Sequence, residues 1–360
     1  MKTLYIHVGT RKTGTTTLQN FFANNKQSLE QKGIYYPMEG SYYDPFGAGQ
    51  HLLAFALLGH RPYWLSQKLK YTKKGCIEEI QKHLNATNCN NILLSSEHFF
   101  KNDPVEIKSV FENLPLAVKI IVYLRRQDKY LESSYNQLIK MVLENRHFEN
   151  FVKEEIENEN SKSPHYYAKL TKFAEVFGKE NIIVRPFEKQ QFYHQDLIED
   201  FLHLLGLSCE KGFLIPKAIN ESIPYELVNL MAFFNKTSNL EQRQQVMFNR
   251  LLMQLYPKIK KQHYEAFSPK LRREVIDHFK TENTRIANEF LDRKEGQLFY
   301  EPLPDLHGPW KPCPDVSLQQ VTELTINVWQ QLEIQRSKQK IHPQLGYTNS
   351  YEITKVSYKV

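Results

Sequence analysis

Residues 117–124 read Ala-Val-Lys-Ile-Ile-Val-Tyr-Leu, a β-branched and aromatic run broken by a single charge. Apolar side chains at successive strand positions point to opposite faces, so both faces need an apolar cover. That excludes a half-solvated antiparallel sheet and predicts a central strand with helices above and below it. Shorter runs repeat the theme at Thr3–Val8, Ile34–Tyr36, Asn91–Ser95 and Asn181–Val184. Between them lie helix-period segments, Thr15–Lys32, Gly49–Leu58, Cys76–Leu84 and Asp128 to about Glu144. In the first of these, Leu18, Phe21, Phe22 and Leu29 share one face and Gly33 supplies the stop. Alternation of this kind reads as α/β with a mainly parallel sheet.

After about residue 190 only helical periods remain, at Gln195–Leu205, Pro224–Asn235, Leu240–Leu255, Leu271–Lys280 and Val316–Gln335. The expected organisation is one domain over 1–336, with an α/β core at 1–207, a helical cap at 208–336 and a polar tail at 337–360. Lys plus Arg (47) exceeds Asp plus Glu (40) by 7 in 360 residues, which suits an anionic ligand but not the coating of nucleic acid. No apolar run approaches the roughly 18 residues of a membrane span. Cys76, Cys89, Cys209 and Cys313 stand far apart, which argues against a zinc cage or a disulfide framework and for a reducing compartment.

The first strand runs into Gly9-Thr10-Arg11-Lys12-Thr13-Gly14-Thr15-Thr16-Thr17-Leu18. Strand, glycine-bracketed loop and helix together aim backbone N–H groups and a helix N-terminus at an anion. Thr15, Thr16 and Thr17 add hydroxyls to the first helical turn. Gly9 and Gly14 keep the Walker A spacing, but position 15 is Thr and the lysine stands inside the loop, at Lys12. A lysine at the loop apex serves the outer end of a shorter phosphate group than the β- and γ-phosphates of a nucleoside triphosphate.

Arg-Lys-Thr-Gly-Thr-Thr-Thr-Leu resembles the 5′-phosphosulfate loop of sulfotransferases that use 3′-phosphoadenosine 5′-phosphosulfate (PAPS), commonly Pro-Lys-(Thr/Ser/Ala)-Gly-Thr-Thr-x-Leu. Arg11 replaces the usual Pro and leaves Lys12 in register. The resemblance implies a P-loop-like three-layer fold, PAPS as co-substrate and no metal requirement. It assigns Lys12 to the leaving phosphate and Thr13, Gly14, Thr15 and Thr16 to the 5′-phosphate. The family also has a 3′-phosphate signature of strand, Arg, seven residues, then Ser and a nearby Tyr. Here Arg125 with Ser133 and Arg126 with Ser134 both fit. Helical periodicity puts Ser134 with Leu131, Tyr135 and Leu138 and turns Ser133 about 200° from Leu131, which favours Arg126 and Ser134. Asp128 is the expected N-cap of that helix.

An alcohol acceptor needs a general base. The Asn91–Ser95 strand ends in Ser96-Glu97-His98, where ligands gather in open α/β sheets. Glu97 resembles the glutamate of carbohydrate sulfotransferases, and His98 is the runner-up, since cytosolic small-molecule sulfotransferases use histidine. His51 reads as a packing residue or a cleft residue. Tyr42, Tyr43, Phe46, Tyr63 and Trp64 offer sugar-stacking rings, and Lys258, Lys260, Lys261, His263, Lys270, Arg272 and Arg273 a steering patch. The expected acceptor is therefore a carbohydrate or polysaccharide hydroxyl, with no nucleic-acid or membrane-spanning role. The missing amino-terminal anchor points to a cytoplasmic, bacterial setting over a Golgi lumen. A P-loop kinase or nucleoside triphosphatase, or a non-catalytic nucleotide- or glycan-binding module, is the alternative.

Overall fold

A computed structural model describes residues 2–10, 12–38, 48–59, 72–158, 165–216, 224–255, 264–313, 315–319, 321–323, 325–327 and 330. Its strands are β1 (Lys2–His7), β2 (Ile34–Tyr35), β3 (Asn91–Ser95), β4 (Leu116–Leu124) and β5 (Ile182–Pro186). They form one sheet in the order β2-β3-β1-β4-β5, with every pairing parallel. The helices are α1 (Thr15–Asn24), α2 (Lys26–Gln31), α3 (His51–Leu57), α4 (Lys73–Ala86), α5 (Pro104–Phe111), α6 (Gln127–Lys140), α7 (Phe148–Glu157), α8 (Tyr166–Phe177), α9 (Leu197–Leu204), α10 (Tyr225–Thr237), α11 (Gln242–Leu255), α12 (Pro269–His278) and α13 (Lys280–Leu291).

Strand alternation divides the core into two layers. Leu4, Ile6, Ile92, Leu94, Ile120, Val122, Leu124 and Val184 meet α3, α4, α5, α8 and α13 on one face. Leu93, Ile121 and Tyr123 meet Leu18, Phe21 and Phe22 of α1 and Phe201 and Leu202 of α9 on the other. Ile120 through Leu124 are wholly buried, so β4 is covered on both sides and the fold is a three-layer α/β sandwich. Truncating one of these side chains to Ala costs about 2–5 kcal/mol by lost burial and the cavity left behind.

The chain leaves central β1 towards β2 and β3 and then crosses to β4 on its other side. The carboxyl ends of β3, β1 and β4 therefore lie side by side where the winding direction changes, the place where such sheets bind ligands.

The predicted Thr15–Lys32 helix is two helices. Asn25 interrupts it, donating from Nδ2 to the Phe21 and Leu214 carbonyls and accepting from the Leu214 N–H at 2.7 Å. A tertiary anchor overrides the helical period there, and its partner lies far along the chain. The helix after β4 starts at Gln127, so Asp128 stands inside its first turn and is not the N-cap. Helix α5 carries an Asp103 cap and Pro104 at its first turn, a start signal that apolar periodicity alone does not register.

Contacts divide the chain into two units interleaved in sequence. The first comprises Met1–Leu138, Arg146–Ser222 and Ala266–Trp310, and the second Ile139–Asn145, Ile223–Glu265 and Lys311–Val360. The first unit holds the sheet, and neither unit ends at residue 207. In the second, Asn235 and Asn249 of α10 and α11 both donate to the Ile139 carbonyl, and Glu265 bridges to Pro312. Among the described residues no helix is long and apolar enough to cross a membrane.

Candidate functional site

Two buried hydroxyls fix the loop after β1. Thr10 Oγ1 donates to the Tyr123 carbonyl at 2.8 Å and Thr13 Oγ1 to the Thr10 carbonyl at 2.7 Å. The Thr13 hydroxyl is thus spent inside the loop, and its backbone N–H is what Thr13 can offer an anion. Lys12 and Gly14 both take the left-handed conformation, at φ 67° and 70°. For Gly14 this is cheap, whereas at Lys12 it costs about 1–3 kcal/mol and persists because the surrounding contacts impose it. Gly14 gives α1 no side-chain cap, which suits an anion-binding helix N-terminus. Thr16 and Thr17 lie half-buried on its first turn. Arg11 falls outside the described residues.

Lys12 Nζ donates to Gln137 Oε1 of α6 at 3.2 Å. Gln137 carried no signal of its own in the sequence. Across the loop, Thr15 Oγ1 donates to Glu97 Oε2 at 3.2 Å, so the carboxylate just past β3 touches the first turn of α1. His98 has its ring tilted on Phe55, with centroids 4.3 Å apart, and edge-on to His51 at 5.4 Å.

Each serine at the end of β3 holds a histidine. His7 Nδ1 and Ser95 Oγ are 2.9 Å apart, and His51 Nδ1 and Ser96 Oγ 2.8 Å. Both imidazoles are buried, and neither Nε2 has a hydrogen-bond partner among the described residues. Burial lowers the His7 pKa to about 3. It lowers that of His51 too, against the pull of Glu97 in the other direction.

The two arginines after β4 have opposite fates. Arg126 is buried and forks onto Asp128, Nε to Oδ1 at 2.8 Å and Nη2 to Oδ2 at 3.0 Å. Its Nη1 donates to the Glu301 and Pro302 carbonyls. Four of its five donor hydrogens are committed, leaving no fork for a phosphate. Among the described residues no hydrogen bond joins Arg126 to Ser134, the pair expected from the sequence. Ser134 does lie on the buried face, as the periodicity requires, and its Oγ has no hydrogen-bond partner among the described residues. Arg125 instead reaches the loop, donating from Nη1 to the Lys12 carbonyl at 2.9 Å. Ser133 is half-buried one turn before Gln137, on the same side of α6.

Asp128 also accepts from Arg272 at 2.7 Å. Burial pushes its pKa up, but the two guanidinium groups outweigh that and hold it below the usual carboxylate range. In the described part of the basic stretch each of the three named cations has an acidic partner. Arg272 lies over the Phe267 ring and pairs with Asp128, Arg273 pairs with Asp277, and Lys270 with Glu274. Lys258, Lys260, Lys261 and His263, with Tyr42, Tyr43, Phe46, Tyr63 and Trp64, lie outside the described residues.

No protein-family profile matches the chain. An uncharacterized protein of Archaeoglobus fulgidus is 28% identical over 204 residues, 56% of this chain and 54% of its own length. The chain thus spans about half of that relative. Among solved structures, a sulfotransferase from Alicyclobacillus acidocaldarius aligns with 70% of this chain and 96% of its own at 17% identity and a TM-score of 0.39. A retinol dehydratase in complex with retinol and PAP aligns over 84% of each chain at 14% identity and a TM-score of 0.30. Similarity this distant decides neither family nor activity, which leaves the site's own geometry to indicate the chemistry.

Proposed function

We propose that the chain is a sulfotransferase, moving a sulfuryl group from PAPS to a hydroxyl of a carbohydrate acceptor. The observation that carries the reading is the 3.2 Å contact between Glu97 and Thr15, which sets a carboxylate beside an anion cradle that contains Lys12. A phosphate alone would gain nothing from a neighbouring carboxylate, since like charges repel. A neutral alcohol attacking across the cradle would gain a base.

The backbone N–H groups of residues 13–16 and the α1 N-terminus hold the 5′-phosphate. Lys12, turned from Gln137, neutralises the bridging oxygen as the S–O bond to phosphate breaks and its electron pair stays on that oxygen. A new S–O bond forms to the acceptor, whose proton passes to Glu97. The 3′-phosphate falls to the Arg125 fork and the Ser133 hydroxyl, which are on the loop side, and not to Arg126. A carbohydrate is favoured as acceptor by the resemblance of Glu97 to the glutamate of carbohydrate sulfotransferases, and it is Glu97 that contacts the cradle while His98 packs on Phe55.

The test is a thermal-shift titration with 3′-phosphoadenosine 5′-phosphate (PAP) and with ATP, each with and without Mg²⁺. Sulfur-labelled donor is then offered to glycans, lipids and phenols. The expected result is stabilisation by PAP without metal and label on a glycan. A shift with ATP and Mg²⁺ alone makes the protein a nucleotide kinase or triphosphatase, and a PAP shift without any transfer makes it a binding module.

A further inference from the structure

His51 is used nowhere in that scheme, yet few side chains are held so firmly. Gln50 accepts the Ser95 N–H on its Oε1 at 2.6 Å, donates its own N–H to the Ser95 carbonyl at 2.9 Å and donates from Nε2 to the Pro37 carbonyl at 2.7 Å. Gly49 permits the approach, since a Cβ there would come within 2.6 Å of the Ser95 carbonyl oxygen. Residue 51 is thereby stapled to the end of β3, next to the turn that presents Glu97.

The hydrogen bonds assign its tautomer. Ser96 is buried, and its Oγ accepts the His98 N–H at 3.2 Å. Among the described residues, the acceptor for its own proton is His51 Nδ1, 2.8 Å away. A ring that accepts at Nδ1 carries its hydrogen on Nε2 when neutral, and burial keeps it neutral near pH 7. His51 is 4% exposed, so among the described residues Nε2–H is a buried donor without an acceptor. Leaving it so is costly unless something else arrives to accept.

We infer that His51 Nε2–H donates to a sulfonate oxygen of the bound phosphosulfate, which makes it a further catalytic residue. This rests on the sulfuryl-transfer reading: a sulfonate beyond the 5′-phosphate would lie towards Glu97, and His51 is bonded to Ser96, the residue before it, close enough to feel the Glu97 charge. The neighbouring carboxylate repels an anion. A fixed neutral donor supplies an attractive contact there without adding a cation that would pair with Glu97 and weaken it as a base.

The experiment compares PAPS and PAP as ligands by calorimetry in the absence of acceptor, for the wild type and His51 variants. PAP lacks the sulfonate, so its affinity reports the phosphate sites alone. His51→Asn should weaken PAPS by about tenfold, the effect of one hydrogen bond to a charged group, and leave PAP unchanged. His51→Gln, whose amide nitrogen extends towards the Nε2 position, should recover most of the loss. Ser96→Ala removes the proton donated to Nδ1, frees the ring to turn a lone pair outwards, and should repeat the selective loss. It covers the case in which the His51 variants fail to fold. Equal weakening of PAPS and PAP, or no effect on either, overturns the inference while the function stands. Binding of neither nucleotide by the wild type overturns the function and the inference with it.

Discussion

Two polar clusters lie in the unit that holds the sheet, and they differ in what is left over. Around Arg126, charge is dense and ion-paired, although Glu301 Oε2 is buried without a hydrogen bond among the described residues. Asp128 takes both Arg126 and Arg272, Lys129 pairs with Glu301 at 2.5 Å, and buried Glu188 accepts the Tyr300 and Glu301 N–H groups. Around the loop after β1, charge is sparser but hydrogen bonding is incomplete. Among the described residues His7 Nε2 and His51 Nε2 are buried without hydrogen-bond partners, and Lys12 holds a left-handed backbone. An ion cage is finished by folding alone, whereas a binding site keeps donors in reserve. Richness in arginine here goes with charges that pair with one another, whereas the loop after β1 keeps two buried imidazole nitrogens without partners among the described residues.

Substitutions should separate the clusters by what they damage. Lys12→Ala should lower transfer by on the order of 10⁴-fold or more, about 5 kcal/mol of barrier, while urea unfolding stays within about 1 kcal/mol of wild type. Glu97→Gln should cost on the order of 10²–10⁴-fold in kcat with PAP binding kept. A fully active Glu97→Gln beside a dead His98→Ala would move the base to His98. In the cage, Asp128→Ala should lose about 3 kcal/mol of stability, read by urea, because buried Arg126 and half-buried Arg272 lose the carboxylate they share. If PAP affinity collapses while stability holds, the cage is part of the site and the contrast fails. Arg125→Lys keeps the charge and loses the fork; PAP affinity should fall about tenfold, with a stability change near 1 kcal/mol.

A third cluster is intermediate and should show the smallest effect. Glu282 on α13 accepts the Tyr167 N–H at the start of α8 and lies 3.6 Å from His165, with His278 beyond it. Burial pushes its pKa up to about 7. A carboxyl whose pKa is raised by folding contributes most at low pH, below its unfolded value, and the contribution is lost as pH rises through about 7. Glu282→Gln should flatten that decline, by roughly 1–2 kcal/mol between pH 5 and 8 in urea titrations. An unchanged pH profile would show that His165 compensates the carboxylate.

Much of the architecture was legible in the order of residues. The unbroken apolar run of β4 requires cover on both faces, and a Gly-bracketed loop between strand and helix requires the turn that it makes. Glu97 stood at a strand end, the position that topology brings to the crevice. Arg125 and Arg126 could not be told apart in this way. Their neighbours in sequence are the same, and helical phase spoke only for the serine on α6. What separates them is Glu301, Pro302 and Arg272, which meet the Arg126 cluster from well over a hundred residues away.

Short-range chemistry is written along the chain: the periods of strands and helices, the conformations open to glycine, the reach of a lysine at a loop tip. Those suffice for a parallel sheet, a glycine-bracketed loop between strand and helix, and a carboxylate near it. Which polar groups are neutralised and which stay available depends on partners that only chain crossing brings together, as with His51 and Ser96 or Lys12 and Gln137. Hydrogen bonds act over about 3 Å whatever the separation along the chain, so their allocation is decided by packing.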